Sequence, residues 1–121
     1  MPQVQPETKL QTDIRLHLQQ RYGTKLVLLR NHSGAVSGLS FGLGPGSPDL
    51  VGWITVGEIA VFVGIEIKTG TGRVRPNQQA WLDRLLSAGG IAFVARDCEG
   101  ASVMMDAHIT RILNGTQSQQ P

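Results

Sequence analysis

Residues 59–68, Ile-Ala-Val-Phe-Val-Gly-Ile-Glu-Ile-Lys, are apolar until Glu66 and Lys68 close the run. A short, β-branched, apolar stretch of this kind reads as a buried strand. Side chains alternate across a strand, so Val61, Val63, Ile65 and Ile67 share one face, and Phe62, Glu66 and Lys68 share the other. Glu66 and Lys68 therefore point the same way at the end of a segment built for the interior. An ionised carboxylate buried without a partner is destabilising by several kcal/mol even after relaxation. A divalent cation and a phosphate are partners that would remove that cost.

The elements around this strand follow from the pattern. Leu10, Ile14, Leu18 and Tyr22 recur every four residues and predict a helix over about 7–22, with Pro6 suited to its start and Gly23 to its end. Residues 26–30 read as a first strand. Residues 31–48 hold Gly34, Gly38, Gly42, Gly44 and Gly46 and read as a long flexible connection with some irregular strand. A second strand is expected over 49–54, joined to 59–68 by a turn at Val56-Gly57-Glu58, which favours an antiparallel pair. The basic, glycine-containing loop 69–75 leads into a second helix from Pro76 or Asn77 to Ser87, whose buried face is Trp81, Leu82, Leu85 and Leu86. Residues 91–95 make a fourth strand. Residues 101–105 read as a fifth, weaker one, with Asp106 capping a last helix through Leu113. Flexible tails are expected over 1–5 and 114–121. Helices flanking a mixed central sheet make this an α/β fold.

If the second and third strands pair as a hairpin, the start of one lies beside the end of the other. Asp49, in Ser-Pro-Asp-Leu, then converges with Glu66 and Lys68 at one end of the sheet. Two carboxylates can hold Mg²⁺ or Mn²⁺, which prefer oxygen ligands, and the backbone carbonyl of Ile67 offers another oxygen. Such a metal polarises a phosphoryl oxygen and lowers the pKa of a bound water. Lys68 can orient that water or offset charge developing in the transition state. Gln78 is polar, yet shares the helix side of Leu82 and Leu85, so its amide can be aimed at the same place.

The chain has 121 residues, enough for a single domain, and a net charge of only +2. Lys68, Arg73, Arg75 and Arg84 nevertheless cluster just after the acidic residues, where they can meet phosphates. The single cysteine, Cys98, excludes an internal disulfide and a cysteine-based zinc site, and fits a reducing, cytoplasmic setting. No apolar stretch reaches the ~20 residues of a membrane span. Gly42-Leu43-Gly44-Pro45-Gly46 is no nucleotide loop, because Pro45 interrupts it and no Lys-Ser/Thr follows. His17, His32 and His108 lack metal-ligand spacing and read as surface or locally bonded residues, with His32 placed to touch a phosphate.

Pro-Asp, then Glu-Ile-Lys, then a glutamine in the next helix resembles the PD-(D/E)XK nuclease superfamily. Lys-Thr-Gly-Thr-Gly-Arg-Val-Arg-Pro-Asn-Gln-Gln-Ala-Trp-Leu, followed by Ala-Gly-Gly, is similar to its VRR-NUC family over residues 7–96. The resemblance implies a restriction-endonuclease-like αβββαβ core. It implies an Mg²⁺- or Mn²⁺-dependent endonuclease, with Asp49, Glu66 and Lys68 catalytic and Gln78 supporting. It implies a glutamate in the first helix that assists the metal. Glu7, before Leu10-Gln11, is the candidate, and Asp13 lies nearby as the alternative. Small stand-alone members, of phage and bacterial type, resemble homodimers acting on branched DNA such as Holliday junctions. The contrasting reading is a non-catalytic nucleic-acid-binding module, or an accessory subunit of a repair or replication complex, that uses the basic loop 68–75 alone. The acidic pair argues against it, because carboxylates beside phosphates repel unless a metal intervenes.

Overall fold

A computed structural model describes residues 6–36 and 38–118. The first helix, α1 (Pro6–Tyr22), ends where Gly23 takes a left-handed conformation (φ +59°), and a short 3₁₀ turn (Gly23–Lys25) leads into β1 (Leu26–Arg30). A small hairpin follows, β2 (Gly34–Val36) with β3 (Leu39–Phe41), inside the stretch expected to be irregular. The second and third long strands are β4 (Leu50–Val56) and β5 (Ile59–Ile67), joined tightly at Gly57 and Glu58 with Gly57 left-handed at φ +63°. Then come α2 (Pro76–Ser87), β6 (Ile91–Ala95) and α3 (Cys98–Ser118).

The main sheet has the order β1-β4-β5-β6. β4 runs antiparallel to both β1 and β5, whereas β6 is parallel to β5, with α2 as the crossover that a parallel pair requires. The result is a mixed α/β fold with an open sheet flanked by helices. Through β6 its element order is the expected one with the β2–β3 hairpin added, and the single helix α3 stands where a fifth strand and a last helix were expected.

The alternation of residues 59–67 partitions the molecule. Val61, Val63, Ile65 and Ile67 join Leu26, Leu28, Leu50, Ile54, Ile91 and Phe93 in one buried cluster closed by Ile14 and Leu18 of α1 and by Ala101 and Met105 of α3. Each fully buried aliphatic side chain contributes about 1.5–3 kcal/mol. The opposite face, with Phe62, Gly64 and Glu66, turns toward α2. A β-carbon at Gly64 would lie 2.8 Å from Pro48 and 3.0 Å from Leu85, so this strand position admits only glycine without a shift.

Four expectations are corrected. Residues 101–105 are not a strand, and Asp106 is not a cap. They lie inside α3, where Ala101, Met105, Ile109 and Ile112 fall on one helical face against the core. The capping acceptor is Asp97, whose Oδ1 takes the Gly100 N–H at 2.6 Å. Asp106 instead accepts from the Tyr22 hydroxyl and from Arg21, both at 2.5 Å, and ties α3 to α1. On α2, only Leu82 is fully buried. Trp81 and Leu85 are half-buried and Leu86 is 37 % exposed, because α2 covers the sheet only along β5 and β6. The tail expected from Asn114 begins as the last turns of α3. The remaining tail residues, 1–5 and 119–121, lie outside the described residues.

Candidate active site

Asp49 immediately precedes β4. Extending the β4–β5 register one step beyond Leu50 and Ile65 sets Asp49 opposite Glu66. The Asp49 side chain turns to β5 and accepts the Ile67 N–H through Oδ2 at 2.8 Å. Its main chain is held from the other side, where the Asn31 N–H donates to the Asp49 carbonyl at 2.8 Å. The hairpin therefore brings the two acids together as the strand pattern predicts.

Glu66 is 2 % exposed, and its Oε2 is enclosed without a hydrogen-bond partner among the described residues. Burial first, and then Asp49, push its carboxyl up to about 9. Asp49 acts by hydrogen bonding to the protonated form and by its own charge. The Lys68 ammonium pulls the other way, and Glu7 adds a raising contribution. Glu66 thus senses Asp49, Lys68 and Glu7 at once. Lys68 itself leaves the sheet half-buried, its N–H donating to Ala95 at 3.1 Å.

The two candidates on α1 part company. Glu7 is exposed in the first turn, yet its charge reaches Glu66. Asp13 pairs with Lys9 at 2.7 Å, beside the groove that α1 forms with Thr69, Gly70 and Arg96. Among the described residues no three acidic, histidine or cysteine side chains make a ready cluster for a metal ion. What the fold offers is the pair Asp49 and Glu66 with the main chain beside them. Oxygen donors alone suit a hard cation, and the unpartnered Glu66 oxygen is one that such an ion would satisfy.

Gln78 makes a different contact from the one expected. Its Oε1 accepts the Arg75 N–H at 2.9 Å, so its hydrogen bond closes the start of α2 rather than reaching Asp49, Glu66 or Lys68. Arg73 and Arg75 are exposed on the loop after Lys68, and His32 is exposed just after β1. The loop of the two arginines is fastened by Arg96, which donates to the Gly70 carbonyl at 2.9 Å. Arg84 lies farther along α2, on an open cavity of about 380 Å³ lined also by Leu43, Phe62, Trp81 and Leu85.

The remaining histidines have local roles. His17 Nε2 meets Ser102 Oγ at 2.6 Å between α1 and α3, and His108 stacks on Phe93 at 5.9 Å. Three further residues escape a reading by pattern. Asn31 and Arg96 act through main-chain contacts that no spacing announces. Gln11 is buried, and its one signal is a polar residue four positions after Glu7 and three before Ile14, on the apolar side of α1.

The VRR-NUC domain model matches residues 6–97, from the first residue of α1 to just past β6. The chain belongs to the VRR-NUC family. That membership makes it a nuclease-type domain, and the matched span contains Glu7, Asp49, Glu66, Lys68 and Gln78. The α3 helix, Cys98–Ser118, lies wholly outside it. No curated protein and no solved structure gives a significant match to this VRR-NUC chain. Among the described residues no helix is long and apolar enough to cross a membrane.

Proposed function

We propose that the chain is a divalent-metal-dependent DNA endonuclease whose centre is Asp49, Glu66 and Lys68. The observation that carries this reading is the Glu66 carboxyl, buried opposite Asp49 with an oxygen left unpartnered. An acid in that position is a liability to a protein that only binds DNA, and an asset to one that binds a cation.

Asp49, Glu66 and the Ile67 carbonyl would hold Mg²⁺ or Mn²⁺, with Glu7 close enough to add negative charge. When bound, the ion polarises the scissile phosphate and makes a coordinated water more acidic. Lys68 projects from the same strand face as Glu66, where its ammonium can orient the attacking water or offset charge on the phosphorane-like transition state. Gln78 keeps α2 closed at its first turn and so supports the basic loop before it. Arg73, Arg75 and His32 contact flanking phosphates. The preferred substrate is branched DNA and the working form a homodimer, as in the stand-alone nucleases the chain resembles. Trp53, Phe62, Leu29 and Leu43 leave exposed apolar surface that a second copy would cover.

Cleavage of linear duplex, single strand, flap and four-way junction, each with and without Mg²⁺ or Mn²⁺, tests the proposal. It expects cation-dependent scission with the junction or flap favoured. Binding of every substrate with cutting of none would replace it by the non-catalytic reading.

A further inference from the structure

We infer that Asn31 is a positioning residue that fixes the direction of the Asp49 carboxylate. The inference rests on the reading of Asp49 as a centre residue, and concerns how that residue is aimed.

Residues 31–48 leave the sheet at the end of β1 and re-enter it at the start of β4. The two ends meet because Asn31 and Asp49 continue the β1–β4 register one step past Arg30 and Leu50. At that junction the Asn31 side chain is fully engaged. Its Nδ2 donates one hydrogen to Ser47 Oγ and the other to the Pro48 carbonyl, each at 2.8 Å. Its Oδ1 accepts from Ser33 Oγ at 2.5 Å, and its backbone N–H donates to the Asp49 carbonyl at 2.8 Å.

The directions of these bonds leave no freedom. Ser47 Oγ gives its own hydrogen to the Gly44 carbonyl at 2.7 Å, so toward Asn31 it can only accept. Ser33 Oγ gives its hydrogen to Asn31 and accepts the Leu43 N–H at 2.8 Å. The carbonyl of Pro48 is one end of the peptide joining Pro48 to Asp49, and the carbonyl of Asp49 begins the next peptide. Asn31 holds both. With the two peptide planes around Asp49 fixed, its side chain has a defined origin, and its Oδ2 reaches the Ile67 N–H. An aspartate at position 31 keeps the shape and the contact with Ser33, but it has no hydrogen to give to Pro48 or Ser47.

The Ile67 amide reports the aim of Asp49 directly, and Lys68 next to it is an internal control, since its N–H goes to Ala95 instead. Amide hydrogen exchange on the metal-free, full-length protein compares wild type with Asn31→Asp and with the milder Ser47→Ala. Exchange at Ile67 is expected to rise about tenfold in Asn31→Asp and less in Ser47→Ala, with Lys68 unchanged. In cleavage assays the same variants should lower kcat and leave KM for DNA in place. Unchanged protection of Ile67 overturns the inference. So does a loss that Ile67 and Lys68 share equally, because Asn31 would then merely hold the fold. If the wild type cleaves no DNA, the nuclease reading fails while the exchange result still decides the role of Asn31.

Discussion

The Asp49 carboxylate accepts the N–H of Ile67, the residue between Glu66 and Lys68. One hydrogen bond thus joins the acid at the start of β4 to the middle of the Glu-Ile-Lys segment that ends β5. Glu66 lies opposite Asp49 across that hairpin, and the Lys68 charge is felt at its carboxyl.

Removing the Glu66 charge separates fold from function. Glu66→Gln keeps the shape and discards an ionisable group that is buried with an unpartnered oxygen. Cleavage should fall by at least about 10³-fold, as for loss of a group essential to the transition state. The thermal midpoint in chelator should stay level or rise. A variant that still cuts at near wild-type rate would remove Glu66 from the centre.

The same group predicts how stability depends on pH. Its carboxyl has an ordinary value of 4.5 and sits at about 9 in the fold. Between those values the folded chain keeps a proton that the unfolded chain has released, so stability falls as pH rises through that window. Thermal denaturation in chelator from pH 5 to 9 should show this decline. Glu66→Gln should flatten it, and adding Mn²⁺ at the alkaline end should restore part of the loss.

Lys68→Ala should leave the fold intact, because the main-chain bond from its N–H to Ala95 survives the substitution. The cleavage rate should drop about 10²–10³-fold with DNA affinity little changed. A rise in KM without a change in kcat would make Lys68 a binding residue only.

Arg73 and Arg75 are exposed beside the centre. Replacing both by alanine should weaken DNA binding on every sequence. It should also reduce the slope of log affinity against log salt by about 1.8 if each arginine meets one phosphate. Fluorescence anisotropy across a salt series reads both quantities, and an unchanged slope would place the DNA elsewhere.

Residues 101–105 offer a stability test of a corrected element. A strand would put Val103 and Met105 on one face, whereas α3 leaves Val103 60 % exposed and Met105 at 0 %. Met105→Ala should cost about 2–5 kcal/mol in denaturant unfolding, and Val103→Ala less than about 0.5 kcal/mol. Equal losses would contradict the helix.

This contrast also explains what was legible beforehand. Residues 59–67 read as a buried strand because a short, β-branched apolar run and its length agree over the whole stretch. The convergence of Asp49 with Glu66 followed from hairpin geometry alone. Residues 101–105 are ambiguous because a short apolar run fits a strand or a buried helix segment equally, and the helical repeat emerges only when Ala101 and Met105 are read together with Ile109 and Ile112. Gln78 lies on α2 as the pattern implies. What its carbonyl bonds to depends on the local path of the chain at Arg75, which residue type does not specify. Asn31 left no trace for a similar reason, since its bonds join the two ends of an eighteen-residue connection, 31–48, that has no periodicity.

A Mn²⁺ titration followed by electron paramagnetic resonance at pH 8 tests, without DNA, whether Asp49 and Glu66 together hold a divalent cation. Wild-type protein should take up Mn²⁺ saturably, and this uptake should be lost in Asp49→Asn and in Glu66→Gln. Uptake unaltered by both substitutions, or none by the wild type, would contradict a site shared by the two acids.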